Sequence, residues 1–315
     1  MTTRKIAFVF PGQGAQYVGM ASEFLEHYSI ARETFEEADD LLGRKLSTVV
    51  LNGPEDTLTE TRNSQPGIFV SSIAIYRCLK GVFPEINPFA CAGLSLGEYT
   101  ALHLSGRCSF ADTLALVQKR AGFMNDACCA TAGGMSVVMG LNTDVVESVV
   151  SDLKLPHDLW IANYNCPGQI VISGTANGLQ LAAVALKEAG AKRVLPLQVH
   201  GAFHSGLMQS AEDRLAPYIE EVALKDSGIK FAMNVPGALV TDLSAIRKNL
   251  ILQVTHSVRW EPGIRALAEE GVNLFVEVGC GKSLSGLNRK IGITAQTISV
   301  EKVSELKNLE QVLVG

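Results

Sequence analysis

The chain has 315 residues, 47% hydrophobic and 19% charged, with 29 Gly and 11 Pro, the make-up of a globular protein with a sizeable core. Its 27 basic and 32 acidic side chains leave a net charge of −5, which argues against a broad nucleic-acid footprint. No apolar run approaches the roughly 18 residues that cross a bilayer as a helix, so no membrane-spanning helix is expected.

Arg4-Lys5 followed by Ile6–Phe10 starts like a signal peptide, but Pro11-Gly12-Gln13-Gly14 interrupts it before an apolar region can form. A cytoplasmic location is therefore expected. Ile6–Phe10 is itself a β-rich run ending in a glycine turn, which reads as a buried strand. Helical periodicity follows over Ala21–Leu42 and Gly67–Leu79. The small-residue run Phe89–Ala92 then leads through Gly93-Leu94-Ser95-Leu96-Gly97 into a helical stretch from Glu98 to Leu104. Strand, tight turn, helix is the crossover unit of a parallel sheet.

The texture changes after Asn125, and Cys128–Gly134 reads as a loop. Met135–Leu141 is a strand, Asp144–Leu153 a helix, and Trp160–Asn165 pairs with Gln169–Ser173 across Cys166-Pro167-Gly168. Leu179–Ala189 is a helix ending at Gly190, and Lys192–Val199 a last strand, closed by His200. That β-α-β-β-α-β order is the ferredoxin-like split motif. The expected fold class is therefore α/β: a parallel-sheet core over 1–127 and 201–315, with an inserted ferredoxin-like α+β subdomain over 128–200. The core resumes near Gly201, with a helix over Ser205–Val222 and a strand over Val272–Val278.

Seven cysteines (78, 91, 108, 128, 129, 166 and 280) include no Cys-x-x-Cys pair, which favours reduced, buried thiols. The six histidines show no His-x-x-x-His spacing on a helix, so no metal site is expected. Gly12-Gln13-Gly14 follows a strand as a dinucleotide fingerprint does, but its third glycine position is Tyr17. Gly281-Lys282-Ser283 ends like a phosphate loop, yet the required first glycine is Val276. Neither nucleotide site holds.

Gly93-Leu94-Ser95-Leu96-Gly97 fits G-x-S-x-G with strand before and helix after, a turn too tight for a Cβ on either side of the serine. It lifts the hydroxyl above the sheet at a helix N-terminus, where a developing anion is favoured. Serine needs a base at neutral pH. His204, in Gly201-Ala202-Phe203-His204-Ser205, directly precedes a helix whose dipole would keep it neutral; His200 reads as structural.

Six motifs in order, Phe10–Gly14, Gly93–Tyr99, Gln118–Arg120, Asn163–Gly174, Gly201–Ser205 and Val258–Trp260, make the whole chain from about Ile6 resemble the malonyl-CoA:acyl-carrier-protein transacylase family of bacterial fatty-acid synthesis. The resemblance implies the same architecture, a hydrolase-like core with a ferredoxin-like insertion. It implies that Ser95 attacks the malonyl thioester, that His204 relays the proton, and that a carbonyl of Gln253 orients the histidine in place of a triad acid. It further implies an oxyanion hole from the backbone N–H groups of Gln13 and Leu96. Arg120 would pair with the malonate carboxylate, since a planar fork holds a carboxylate bidentately. The loop bearing Phe203 is similar to that of malonyl-selective members, where the ring crowds out an α-methyl group, and Asn165 would line the same cleft. The implied reaction is a ping-pong transfer from malonyl-CoA to acyl carrier protein, with no metal or prosthetic cofactor. A local basic patch would receive the acidic carrier, with Lys282, Arg289 and Lys290 as candidates.

The family usually carries His before the nucleophile, where this chain has Leu94. The dyad does not need that histidine, but any hydrogen bond it gives the cleft is missing. A serine esterase or thioesterase, and a catalytically silent carrier-binding scaffold, are the alternatives. The acids between Ser95 and His204 do not sit at convincing strand ends for a hydrolase triad.

Overall fold

All five residues of Ile6–Phe10 are buried, and an apolar strand covered on both faces belongs in the middle of a parallel sheet. The computed structural model, which describes residues 4–199 and 201–314, places it there. The strands are β1 (Ile6–Phe10), β2 (Ala90–Gly93), β3 (Gly134–Met139), β4 (Leu159–Cys166), β5 (Gln169–Gly174), β6 (Arg193–Pro196), β7 (Lys230–Met233), β8 (Ala238–Leu239), β9 (Val258–Arg259), β10 (Leu274–Val278) and β11 (Gln296–Val300). The first sheet runs β11-β10-β1-β2-β7-β8, parallel except for the β7–β8 edge. Phe10 pairs with Gly93, so β1 and β2 end level and release their turns side by side.

The second sheet runs β6-β3-β5-β4-β9. Its first four strands are antiparallel, and the helices Thr143–Asp152 and Ala176–Glu188 pack on it through Val146, Ala182 and Leu186 against Val138, Ile170 and Ile172. The β-α-β-β-α-β order expected from the sequence is thus observed. β9 comes from far beyond residue 200 and pairs parallel with β4, tying the two sheets' segments together by backbone hydrogen bonds.

Several boundaries differ from the sequence reading. The helix expected over Ala21–Leu42 is two helices, Ser22–His27 and Ser29–Leu42, because Tyr28 is extended (φ −130°, ψ 125°). The helix expected over Gly67–Leu79 spans Thr61–Val82 and contains Pro66. Proline removes the donor that would reach the carbonyl of Arg62, and the Arg44 guanidinium supplies it at 3.1 Å. Cys128–Ala130, read as the start of a loop, closes the Phe110–Ala130 helix. The last strand of the second sheet is only Arg193–Pro196, and His200 lies outside the described residues. The stretch expected as one helix over Ser205–Val222 begins as a 3₁₀ turn, Gly206–Met208, before the helix Gln209–Glu221.

Five cysteines are buried as expected, but Cys128 is half-buried and Cys129 exposed. Among the described residues no helix is long and apolar enough to cross a membrane.

The turns that β1 and β2 release are packed backbone to backbone. A Cβ on Gly93 would stand 1.9 Å from the Gly97 carbonyl, one on Gly97 2.1 Å from the Phe10 oxygen, and one on Gly12 2.5 Å from the Leu94 oxygen. None of these neighbours is a flexible side chain that could give way. Gly93→Ala is therefore expected to lower the thermal unfolding midpoint by several degrees, since forced overpacking costs about 1–3 kcal/mol. An unchanged melting curve would show that the turns can separate.

Candidate active site

Ser95 sits at φ 51°, in the left-handed region that L-residues avoid. Such a conformation costs about 1–3 kcal/mol and persists only where its surroundings hold it. Here both of its backbone polar groups are held. The Ser95 N–H donates to Asn234 Oδ1 at 2.7 Å, and its carbonyl accepts from Gln253 Nε2 at 2.8 Å. With its own N–H occupied, Ser95 leaves the next one, on Leu96, as the turn's available donor. Among the described residues neither the Leu96 nor the Gln13 N–H has a hydrogen-bond acceptor. The Gln13 loop is tied to the Thr61–Val82 helix, its side chain donating to Thr61 Oγ1 at 3.1 Å and accepting from Gln65 Nε2 at 3.2 Å.

His204, 3% exposed and also at positive φ (58°), brings Nε2 to 2.7 Å from Ser95 Oγ. Its Nδ1 is 2.8 Å from the Gln253 backbone oxygen. That oxygen only accepts, so Nδ1 carries the proton and Nε2 offers its lone pair to the serine. Gln253 thus acts through its main chain on the histidine, while its side chain does separate work. The imidazole pKa is lowered to about 4, first by burial and then by the Arg120 charge. The sequence reading assigned that depression to a helix dipole; the histidine is buried beside a cation instead.

Arg120 is 1% exposed. Its Nη1 donates to Gln65 Oε1 at 2.7 Å, and its Nη2 to Ser95 Oγ at 3.0 Å and Gln253 Oε1 at 2.8 Å. Among the described residues it forms no ion pair with a carboxylate, and its Nε has no partner. Since Ser95 Oγ accepts from Arg120, its own proton is directed to His204 Nε2.

A cavity of about 150 Å³ opens over Ser95, His204, Gln13 and Gln65. Leu94, Met124, Val171, Leu197, Val199 and Phe203 give it an apolar wall, and Asn163 and Asn165 reach it from β4. The Asn165 Oδ1 is buried without a partner among the described residues. Gly201 keeps the Phe203 loop close to the Phe110–Ala130 helix, since a Cβ there would meet the Cys128 sulfur at 2.1 Å. A larger groove of about 880 Å³ near Phe83–Asn87 and Leu313 gathers no comparable chemistry.

Sequence reasoning missed Glu98, Asn234 and Gln65. Glu98 is fully buried; its Oε1 accepts from the Asn234 N–H and its Oε2 from Gln253 Nε2, both at 2.6 Å. Burial pushes its carboxyl up to about 8, against those two donors and the Arg120 charge. An acid in the first turn of a helix ordinarily serves the dipole and faces water, so nothing in the pattern marked it. The basic side chains proposed for docking are partly engaged: Lys282 pairs with Glu305, and Lys290 donates to Gln169 at 3.3 Å across to β5.

The proton acceptor at this site must be neutral imidazole. Labelling of Ser95 by a serine-reactive fluorophosphonate is thus expected to fail on acidification with a midpoint near 4. Arg120→Leu removes a cation that disfavours imidazolium, so it should move that acid midpoint upward. A wild-type midpoint at the ordinary histidine value, or one that Arg120→Leu leaves in place, contradicts this electrostatic picture.

A family model described as the acyl transferase domain matches residues 7–300. Among curated proteins, the malonyl CoA-acyl carrier protein transacylase of Bacillus subtilis is 41% identical over 312 residues, covering 98% of this chain and 97% of its own. That of Escherichia coli K12 is 35% identical over 302 residues, covering 96% and 97%. Among solved structures, the malonyl CoA-acyl carrier protein transacylase of Coxiella burnetii superposes with a TM-score of 0.94 at 32% identity, covering 99% and 98%. A malonyl-transacylase in complex with its type II PKS acyl-carrier protein superposes at 0.92 with 34% identity, covering 98% and 99%.

Proposed function

The chain belongs to the acyl transferase domain family, and from that premise we propose that it moves the malonyl group of malonyl-CoA to the phosphopantetheine thiol of acyl carrier protein through a malonyl-Ser95 ester. The observation that carries the reading is the pair of contacts on one oxygen: His204 Nε2 at 2.7 Å and the ion-pair-free guanidinium of Arg120 at 3.0 Å from Ser95 Oγ. A base beside a serine serves any acyl transfer. A buried cation with no carboxylate of its own calls for an acyl group that brings one.

In the first half-reaction His204 Nε2 takes the Ser95 proton as Oγ bonds to the thioester carbon. The oxygen that becomes negative is received by the N–H groups of Gln13 and Leu96, and the loss of one such donor costs about 10²–10³ in rate. When the C–S bond breaks, CoA sulfur leaves with the proton held on His204. The carrier thiol then gives its proton to His204 as its sulfur bonds to the ester carbon; the C–Oγ bond breaks, and His204 returns the proton to Ser95 Oγ. Throughout, Arg120 exchanges its contact with Ser95 Oγ for the substrate carboxylate, and Phe203 limits what fits at the α-carbon. The chemistry requires no metal or prosthetic group. The cavity holds the acyl end alone, leaving the CoA or carrier arm outside, and its apolar wall keeps water from the ester.

On this reading the six-stranded sheet is a hydrolase-like core and the second sheet a ferredoxin-like insertion, with 1–127 and 201–315 forming one subdomain and 128–200 the other. Asn165 lines the acyl site from the inserted side. The enzyme works in the cytoplasm, where malonyl-CoA and the carrier meet. The carrier docks on the basic patch of Lys282, Arg289 and Lys290.

Intact-mass measurement after mixing with malonyl-CoA should show one added malonyl group, discharged by carrier thiol and absent in Ser95→Ala. Rapid release of free malonate would identify a hydrolase, and carrier binding with no label on Ser95 a silent scaffold. Arg120→Ala should lose malonyl transfer and gain in acetyl transfer relative to it; an unchanged malonyl-to-acetyl ratio removes Arg120 from substrate selection.

A further inference from the structure

One acceptor atom of Glu98, Oε2, and one donor of Arg120, Nη2, stand at opposite ends of a single side-chain amide, that of Gln253. A carboxylate only accepts and a guanidinium only donates. The amide between them therefore has one permitted orientation, Nε2 toward Glu98 and Oε1 toward Arg120. The same Nε2 also holds the Ser95 carbonyl, and the other Glu98 oxygen holds the Asn234 N–H, whose side chain in turn holds the Ser95 N–H. The contacts close a ring: Ser95, Asn234, Glu98, Gln253, Arg120 and back to Ser95 Oγ.

We infer that Glu98 is a positioning residue for acyl transfer, its ionised carboxylate setting the polarity of this ring and with it the placement of Ser95, Arg120 and the Gln253 carbonyl that orients His204. The inference rests on the reading of Ser95 and His204 as nucleophile and base. Both carboxyl oxygens face donors, which only the ionised form satisfies together. Replacement by glutamine turns one acceptor into a donor. Either it then faces the Asn234 N–H, or it faces Gln253, which must flip and present its amino group to Arg120. Each arrangement leaves donor against donor among buried side chains.

Charged and titratable groups around Glu98 are Arg120 from the Phe110–Ala130 helix, Tyr99 from its own helix and, through Gln253, His204; the Thr61–Val82 helix contributes neutral Gln65, and the segment after β7 neutral Asn234. Because burial raises the carboxyl to about 8, it completes its ionisation only above neutral pH. Labelling of Ser95 by a fluorophosphonate should therefore show a second rise on the alkaline side of neutral, beyond the acid limb of His204.

Glu98→Gln should label about 10- to 100-fold more slowly and lose the upper rise, keeping the acid limb. A mere loss of packing would slow the reaction equally at every pH. In wild-type protein, infrared difference spectra across the upper limb should show a buried carboxylic C=O band disappear as pH rises, a test that does not depend on the variant folding. Glu98→Gln with an unchanged pH profile, or a wild-type spectrum in which that band persists where labelling is fastest, overturns the inference. Failure of wild-type protein to take malonyl from malonyl-CoA while still reacting with the fluorophosphonate would instead overturn the proposed substrate and leave Glu98 tested.

Discussion

The hydrogen bond between Ser95 Oγ and His204 Nε2 is the contact on which the site depends, and neither partner reaches it from a relaxed backbone. Both residues occupy the left-handed region without being glycine. The serine is held there by Asn234 and Gln253, which bind its N–H and carbonyl. The histidine is held through its other nitrogen by the main chain of Gln253. Asn234 follows β7 and Gln253 follows the Leu243–Leu252 helix, so the C-terminal part of the chain fixes a turn formed near residue 95. Removing any of these elements releases strain at the reacting atoms before it removes a reacting group.

Charge is distributed in the same economical way. Arg120 is buried, which is costly, yet it faces amide oxygens and a hydroxyl rather than a carboxylate in contact. The nearest acid, Glu98, acts on it through Gln253. The guanidinium therefore keeps an unmet preference for a negatively charged partner. The same cation also disfavours imidazolium at His204, so one residue selects a carboxylate-bearing acyl group and keeps the base unprotonated.

Much of this was legible in the sequence where the backbone leaves no choice. Glycines at 93 and 97 are demanded because a Cβ on either would stand under 2.2 Å from a neighbouring main chain, so strand, turn and nucleophile were readable together. His204 was readable because a serine requires a base and a second loop supplied one. Arg120 and Gln253 were not readable by pattern: Arg120 lies on a helix and Gln253 just past the end of one, where such side chains ordinarily meet solvent, and only the family resemblance singled them out. Glu98 escaped altogether, since its function arises from Asn234 and Gln253, more than 130 residues away in the chain. The continuation of a helix through Pro66 depends likewise on a contact that no local pattern encodes, that of Arg44 with the Arg62 carbonyl.

A crystal structure of the protein trapped with malonyl-CoA addresses the central claim most directly. The account requires electron density continuous from the oxygen of Ser95 to a malonyl carbon, the distal carboxylate on the Arg120 guanidinium, and the ester oxygen beside the N–H groups of Gln13 and Leu96. An acyl group whose carboxylate avoids Arg120, or a serine turned away from His204 when loaded, contradicts it.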